Sequence, residues 1–285
     1  TLSDVDTVNG AITASSAGAL TVTDVASGTN GNIVLSTSSG DITGLATVNA
    51  GSGNVTLNSA GAIVDDGSSG TVITGGVLTA DAAGAITIDS TVTSANISTS
   101  AAGAVDLDET DAITLTDVDT NDGSITVDAG GLITATDVVA SGGSGDSVTL
   151  STTTGGAVAT LVTGADAVSI TANAGDITIG SVTATAGTLG VTATAGSIND
   201  AADDNTADFT AGGLITLTAQ DEIGVLGSGS DLDLEFAAGS SVNVSTTGTG
   251  AIDLDGLGAL TLSDVDTVNG AITASSAGAL TVTDV

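Results

Sequence analysis

The sequence contains no Lys, Arg, His, Pro, Cys, Met, Trp or Tyr, and its only aromatic residues are Phe209 and Phe236. Each absence removes a class of explanation. Without basic residues the chain cannot neutralise phosphates or be drawn to anionic lipid, which argues against a nucleic-acid partner and against charge-driven attraction to a membrane. Trypsin-like proteases likewise find no cleavage point. Without Cys there are neither disulfides nor thiolate metal sites, and the redox compartment is not readable from cysteine. Without aromatics the core has to be filled with Val, Ile, Leu and Ala, which suits a thin core of uniform cross-section. No run approaches the ~18 apolar residues of a membrane span, and no signal peptide is visible. The absence of Met leads to the expectation of an internal or processed piece whose export signals lie elsewhere.

What is present is acid and aliphatic. The 285 residues carry 34 Asp and Glu for a net charge of −34, yet hydrophobic content is 41% and mean hydropathy is +0.46. A chain this apolar can offset its ordering entropy and is not of the disordered class.

One short phrase recurs throughout: Gly10-Ala11-Ile12-Thr13-Ala14, again as Gly18-Ala19-Leu20-Thr21-Val22, and so on to the end. A small residue, any residue, an aliphatic, usually Thr and another apolar residue make a strand too short to stand alone. Such a unit buries its aliphatic only against a neighbouring unit, which is the mark of a stacked repeat. The inward residues of a first series are Ile12, Ile33, Val55, Leu78, Ile97, Ile125, Val148, Val168, Leu189, Ile215, Leu232, Ile252 and Ile272. A second series gives Leu20, Ile42, Ile63, Ile86, Val105, Ile133, Val158, Ile177, Ile198, Ile223, Val242, Leu260 and Leu280. Thr follows many of them and faces out, the period-two alternation of a half-buried strand.

A third, weaker strand is expected at the Asp-Val pairs Asp4-Val5, Asp24-Val25, Asp117-Val118, Asp137-Val138 and Asp264-Val265. Three short strands per coil describe an all-β fold, a parallel β-helix of roughly triangular section, with about 12 coils of ~22 residues. The lack of Pro fits strands that all need their N–H groups, and the leading Gly is expected to permit the tight corners. Two long coils are expected to carry their excess in outward acidic loops at 106–122 and 200–208, although Asp111-Ala112-Ile113-Thr114-Leu115 is a further copy of the phrase inside the first. An immunoglobulin-type sandwich array, which calls for longer strands and an aromatic core, is the weaker alternative.

Residues 1–25 and 261–285 are identical at an offset of 260. The expectation is therefore one continuous β-helix over 1–285, in which 1–260 is a tandem block and 261–285 starts the next. The run of phrases, for example Gly123-Ser124-Ile125-Thr126-Val127 with Gly131-Leu132-Ile133-Thr134-Ala135, resembles the β-helical repeats of filamentous haemagglutinin-like adhesins and giant bacterial surface proteins. That resemblance covers the whole chain and implies a right-handed β-helix shaft, exported and displayed outside the cell. The family's secretion domain is not among these residues.

The candidates for chemistry are all carboxylates. Asp65-Asp66, Asp203-Asp204 and Asp231 with Asp233 are nominal acid–base pairs for a neutral glycan, but no aromatic platform or basic residue accompanies them. Solvated turn carboxylates and a non-enzymatic chain are the better reading. For a metal, Asp117, Asp119 and Asp122 lie in a segment that superficially resembles a calcium loop. Its Gly123 falls one place late and Asp128 stands where Glu is usual, so the competing account is a turn in which Asp caps its own backbone. Gly142-Gly143-Ser144-Gly145-Asp146 half-matches a calcium-binding nonapeptide. The Thr-x-Thr arrays could order water but are also ordinary exposed strand residues. Asn54-Val55-Thr56, Asn96-Ile97-Ser98 and Asn243-Val244-Ser245 match the glycosylation acceptor pattern, yet each overlaps a core strand.

No cofactor is required on this reading; calcium or diffuse cations are the expected ligands. The expected partners are further copies end to end, with lateral bundling left open by the sequence and any glycan or cell-surface partner unspecified. Function is expected to be that of an extracellular structural fibre, or of an adhesin stalk carrying a tip or lateral loops. The uncompensated charge predicts that melting temperature rises as NaCl is raised from about 10 mM to about 150 mM, because the screening length falls from ~30 Å to ~8 Å. Equal melting temperatures across that range would contradict this.

Overall fold

The computed structural model describes residues 1–68, 70–202, 204–224, 231–237 and 240–285. Among them there are thirty strands and no helix, hence no helix long and apolar enough to cross a membrane. The chain winds as a parallel β-solenoid of about 13 turns of about 21 residues. It divides into two compact units, Thr1–Gly130 with Val138–Gly142, and Gly131–Asp137 with Gly143–Val285.

In the first unit the strands stack in columns one turn apart. Ile12, Ile33, Val55 and Leu78 lie in register, as do Leu20, Ile42, Ile63, Ile86, Val105 and Ile125. Val5, Val25, Val48 and Ile73 form a third column. The reason is the backbone: a strand of two to five residues cannot satisfy its own N–H and C=O groups, so each pairs with the next turn. The Ile12 N–H donates to the Asn32 carbonyl at 2.9 Å, and the Ile33 N–H to that of Asn54 at 2.9 Å. Every described strand pairing is parallel, which removes the sandwich alternative.

The second unit repeats the plan. Val148, Val168, Leu189, Ile215, Val242 and Leu262 form one column. Ile133, Ala157, Ile177, Ile198, Ile223, Ile252 and Ile272 form another. Val162, Val182, Phe209 and Leu234 form the third, with the aromatic ring fully buried.

Twenty-three of the 26 inward assignments are buried. Ile272 and Leu280 are more open because they lie in the last turn, covered on one side only. Val158 is half-buried while Ala157 and Ala159 point inward; with two consecutive glycines before it, the phrase starts at Gly155 instead of Gly156. The two series also exchange columns. Ile125 stacks on Val105, because the extra copy at 111–115 opens a strand of its own, Ile113–Asp122. Leu115 from that strand lies under Ala95, and Ala95 itself lies under Leu78 in place of Ile97. Likewise Ile215 is followed by Val242, since the strand Leu232–Phe236 lies under Phe209–Ala211. The phrase start assigned to Ser230 lies outside the described residues.

Three further corrections follow from the coordinates. The Asp-Val pairs mark no single face: Val5 and Val25 stack on Val48, Val118 and Val138 on Ile97, and Val265 pairs with Val244. Residues 106–122 are no outward loop but fall largely in the strands Val105–Glu109 and Ile113–Asp122, because acids alternate there with buried aliphatics. Of the two long segments only the second is irregular, in its described residues 201–202 and 204–208, between the strands Ile198–Asp200 and Phe209–Ala211. Finally, the leading glycines serve in two ways: Gly40 and Gly175 take up a left-handed backbone at φ 82° and 85°, as a tight corner requires, whereas Gly31 and Gly53 do not. A Cβ on either of the latter two would stand 2.5 Å from the carbonyl oxygen of the glycine one turn before, Gly10 or Gly31, so close approach between turns excludes a side chain.

One corner device was not read from the sequence. A buried hydroxyl three or four residues before the next phrase donates to that corner's carbonyl: Thr37 to Gly40 at 2.7 Å, Ser59 to Ala62 at 2.9 Å, Thr99 to Gly103 at 3.0 Å and Thr246 to Gly250 at 3.0 Å. Thr152 does the same for Gly155. These hydroxyls supply a donor to carbonyls where the chain turns; the Ala62 carbonyl accepts the Ile42 N–H of the preceding turn as well.

Two measurements by urea unfolding check this architecture. Leu217→Ala, fully buried, is expected to cost about 2–5 kcal/mol, while its outward neighbour Thr216→Ala costs under about 1 kcal/mol. Thr152→Val keeps shape but strips the Gly155 carbonyl of its donor, with an expected cost of about 1–3 kcal/mol.

Candidate functional site

Outward positions in a solenoid repeat from turn to turn, so like residues at one-turn spacing are brought side by side. Two acidic regions arise in this way. In the first unit Asp89, Asp108 and Asp128 lie in one ladder. Asp89, Asp108 and Glu109, with Gly70, Thr71 and Thr110, line a shallow groove of about 230 Å³. Burial, then the charges of Asp65 and Asp108, raises the Asp89 carboxyl above its usual range; burial, then Asp106, Asp128 and Asp65, does the same for Asp108. Glu109 occupies a core position and is 4% exposed. Its burial pushes it up, although the Ser90 hydroxyl donates to it at 2.6 Å and the Val92 N–H at 3.1 Å.

The second region lies in the second unit, on the outer side of Leu232–Phe236. This strand pairs with Ile252–Gly256 so that Asp233 stands opposite Asp255. One carboxylate oxygen from each of Asp231, Asp233 and Asp255 lies within 4.8 Å of the others. On the other flank the Asp233 N–H donates to the Asp208 carboxylate at 2.8 Å, and the Asp208 N–H to the Asp233 carbonyl at 3.0 Å. Asp208 and Asp233 are each 3% exposed. Asp208 is pushed up to about 8, by burial first and then by Asp200 and Asp233, against the opposing hydrogen bond from Asp233. Asp233 is pushed up to about 6, by burial first and then by Asp231, Asp255, Asp200 and Asp204.

The other sequence candidates are placed differently. Asp117 and Asp119 lie two apart on the outer side of Ile113–Asp122, where Asn96 donates to Asp117 at 3.4 Å. Asp122 ends that strand, its carbonyl accepting the Gly103 N–H at 2.8 Å. These three are strung along the strand and are not the three-carboxylate group found among the described residues. Asp65 and Asp66 are turn carboxylates, accepting the N–H groups of Gly67 and Ser68, each at 2.9 Å. Asp204 accepts the Thr206 N–H at 2.8 Å, and its partner Asp203 lies outside the described residues. Asp146 folds back onto the Gly143 N–H at 2.8 Å. Of these candidates, Asp231 and Asp233 are the two that share the three-carboxylate group with Asp255.

Sequence reading missed Asp208, Asp255 and Glu109. For Asp255 a signal existed: Asp231-Leu232-Asp233 and Asp253-Leu254-Asp255 are the same triplet 22 residues apart, one turn of the solenoid. Asp208 and Glu109 carry no such mark, since burial of an acid depends on what covers it.

The raised values fix a pH dependence. A carboxyl whose proton is held more tightly in the folded chain stabilises it at acid pH, and that contribution fades as pH rises through the folded value. Asp208 moves from an ordinary 3.8 to about 8, so stability should fall between about pH 4 and about pH 8 and level off above. The slope for one such proton is about 1.4 kcal/mol per pH unit. In Asp208→Asn the decline should be shallower by that amount, read from melting curves across the range; an unchanged slope would contradict the assignment.

Compared with protein-family models, with curated proteins and with solved structures, the chain finds no match.

Proposed function

We propose that this chain is the shaft of an extracellular filament, built from tandem 260-residue blocks and acting mechanically, not as an enzyme. The observation that carries the reading is the repeated segment. Residues 1–25 recur as 261–285, and the second copy forms Ile272–Ser276, which continues the ladder from Ile252–Gly256. The first copy forms the corresponding strand Ile12–Ser16, which pairs forward with Ile33–Thr37. One segment thus serves both as the sequel to one block and as the opening of the next. Turn-to-turn hydrogen bonds and an aliphatic core supply stiffness, and a coat of −34 charges keeps shafts soluble and apart.

An adhesin stalk is the second reading, favoured by the irregular 201–208 segment as a place for lateral display. The two part company experimentally. Chains of one, two and three blocks, viewed by electron microscopy, should be rods whose length grows in proportion to block number; separate lobes joined by linkers would overturn the shaft. Binding of the same rods to glycan arrays or cells would favour the stalk.

A further inference from the structure

We propose that Asp231, Asp233 and Asp255 hold a hard divalent cation, with calcium the best fit. Oxygens bound to one ion at about 2.4 Å can be no more than about 4.8 Å apart, and the three carboxylates offer oxygens within 4.8 Å of each other. Magnesium demands near-ideal octahedral geometry and gives up its water reluctantly, whereas calcium accepts several carboxylate oxygens in a flexible shell, so calcium is the better match for three carboxylates. The register is fixed by the ladder, since Asp233 and Asp255 face each other across adjacent paired strands. The Ser275 hydroxyl holds Asp255 from the far side at 2.5 Å.

A second observation is independent of the clustering. Asp233 is 3% exposed, and no donor among the described residues reaches its carboxylate. A covered carboxylate is costly to ionise unless its charge is offset, and this chain has no Lys, Arg or His to offset it. The neutralising charge therefore comes from a proton or from a cation. A proton relieves only one of three adjacent acids. A divalent ion relieves all three at once. Asp208 does not take that role, because one of its oxygens already accepts the Asp233 N–H.

The test is calcium-dependent thermal stability of the full chain at pH 7.5, in chelator, in CaCl₂, in MgCl₂ and in NaCl of matched ionic strength. Equilibrium dialysis against CaCl₂ supplies the affinity. Calcium is expected to raise the melting temperature saturably and beyond the NaCl control, with a smaller effect of magnesium. Asp255→Asn should weaken calcium binding at least about tenfold, the loss typical even of outer-shell changes. The triple change of Asp117, Asp119 and Asp122 to Asn should leave this binding intact. Asp233→Asn is expected to melt at or above the wild type in chelator, since it removes a buried charge, and to lose the calcium response. If it fails to fold, Asp231→Asn, which is less buried, provides the same reading. A calcium effect no larger than that of NaCl, or one that survives in Asp255→Asn, would overturn the proposal without touching the shaft reading.

Discussion

The whole structure depends on one obligation: no strand here can satisfy its own backbone, so every turn exists only by virtue of the turns beside it. In the first unit the N–H of Ile42 reaches Ala62 and that of Ile63 reaches Ala85, while the side chains of both aliphatics stack in the same column. Hydrogen bonding and hydrophobic burial are therefore two aspects of a single nearest-neighbour contact. The same obligation accounts for the absence of Pro, for glycines where one corner presses on the next, and for hydroxyls that take up corner carbonyls.

Charge obeys the complementary rule. With no base in the chain, an acid is tolerable on the outer side, where water solvates it, and expensive wherever something covers that side. Asp117 and Asp119 remain exposed and lie on an ordinary strand. Asp208 and Asp233 carry the same functional group but are covered, and their protons are held accordingly. What separates Asp208 and Asp233 from the acids of an ordinary strand is the cover, not the sequence around them.

This contrast marks how far the sequence could be read. Period-two alternation placed Ile33, Val55 and Ile177 in the core, because inside and outside are local properties of a strand. It could not assign faces: Leu232 and Val242 present the same alternation, yet they belong to different columns, since any face of a solenoid buries every second residue. One of the two long intervals was misread for the same reason: that at 106–122 hid an additional strand, whereas the described residues after Asp200 are irregular as expected, and both intervals are acidic. Buried acids were the least legible, because the Asp208 environment comes from residues 200 and 233, which no spacing rule connects to it.

The irregular segment at 201–208 leaves the ladders on either side undisturbed: Ile177 still meets Ile198, and Val182 still meets Phe209. Turn length at this corner is thus uncoupled from strand register. Such a scaffold can acquire or shed lateral ornament through insertions without recutting its axis, and a foreign peptide grafted there would be carried on a fixed support.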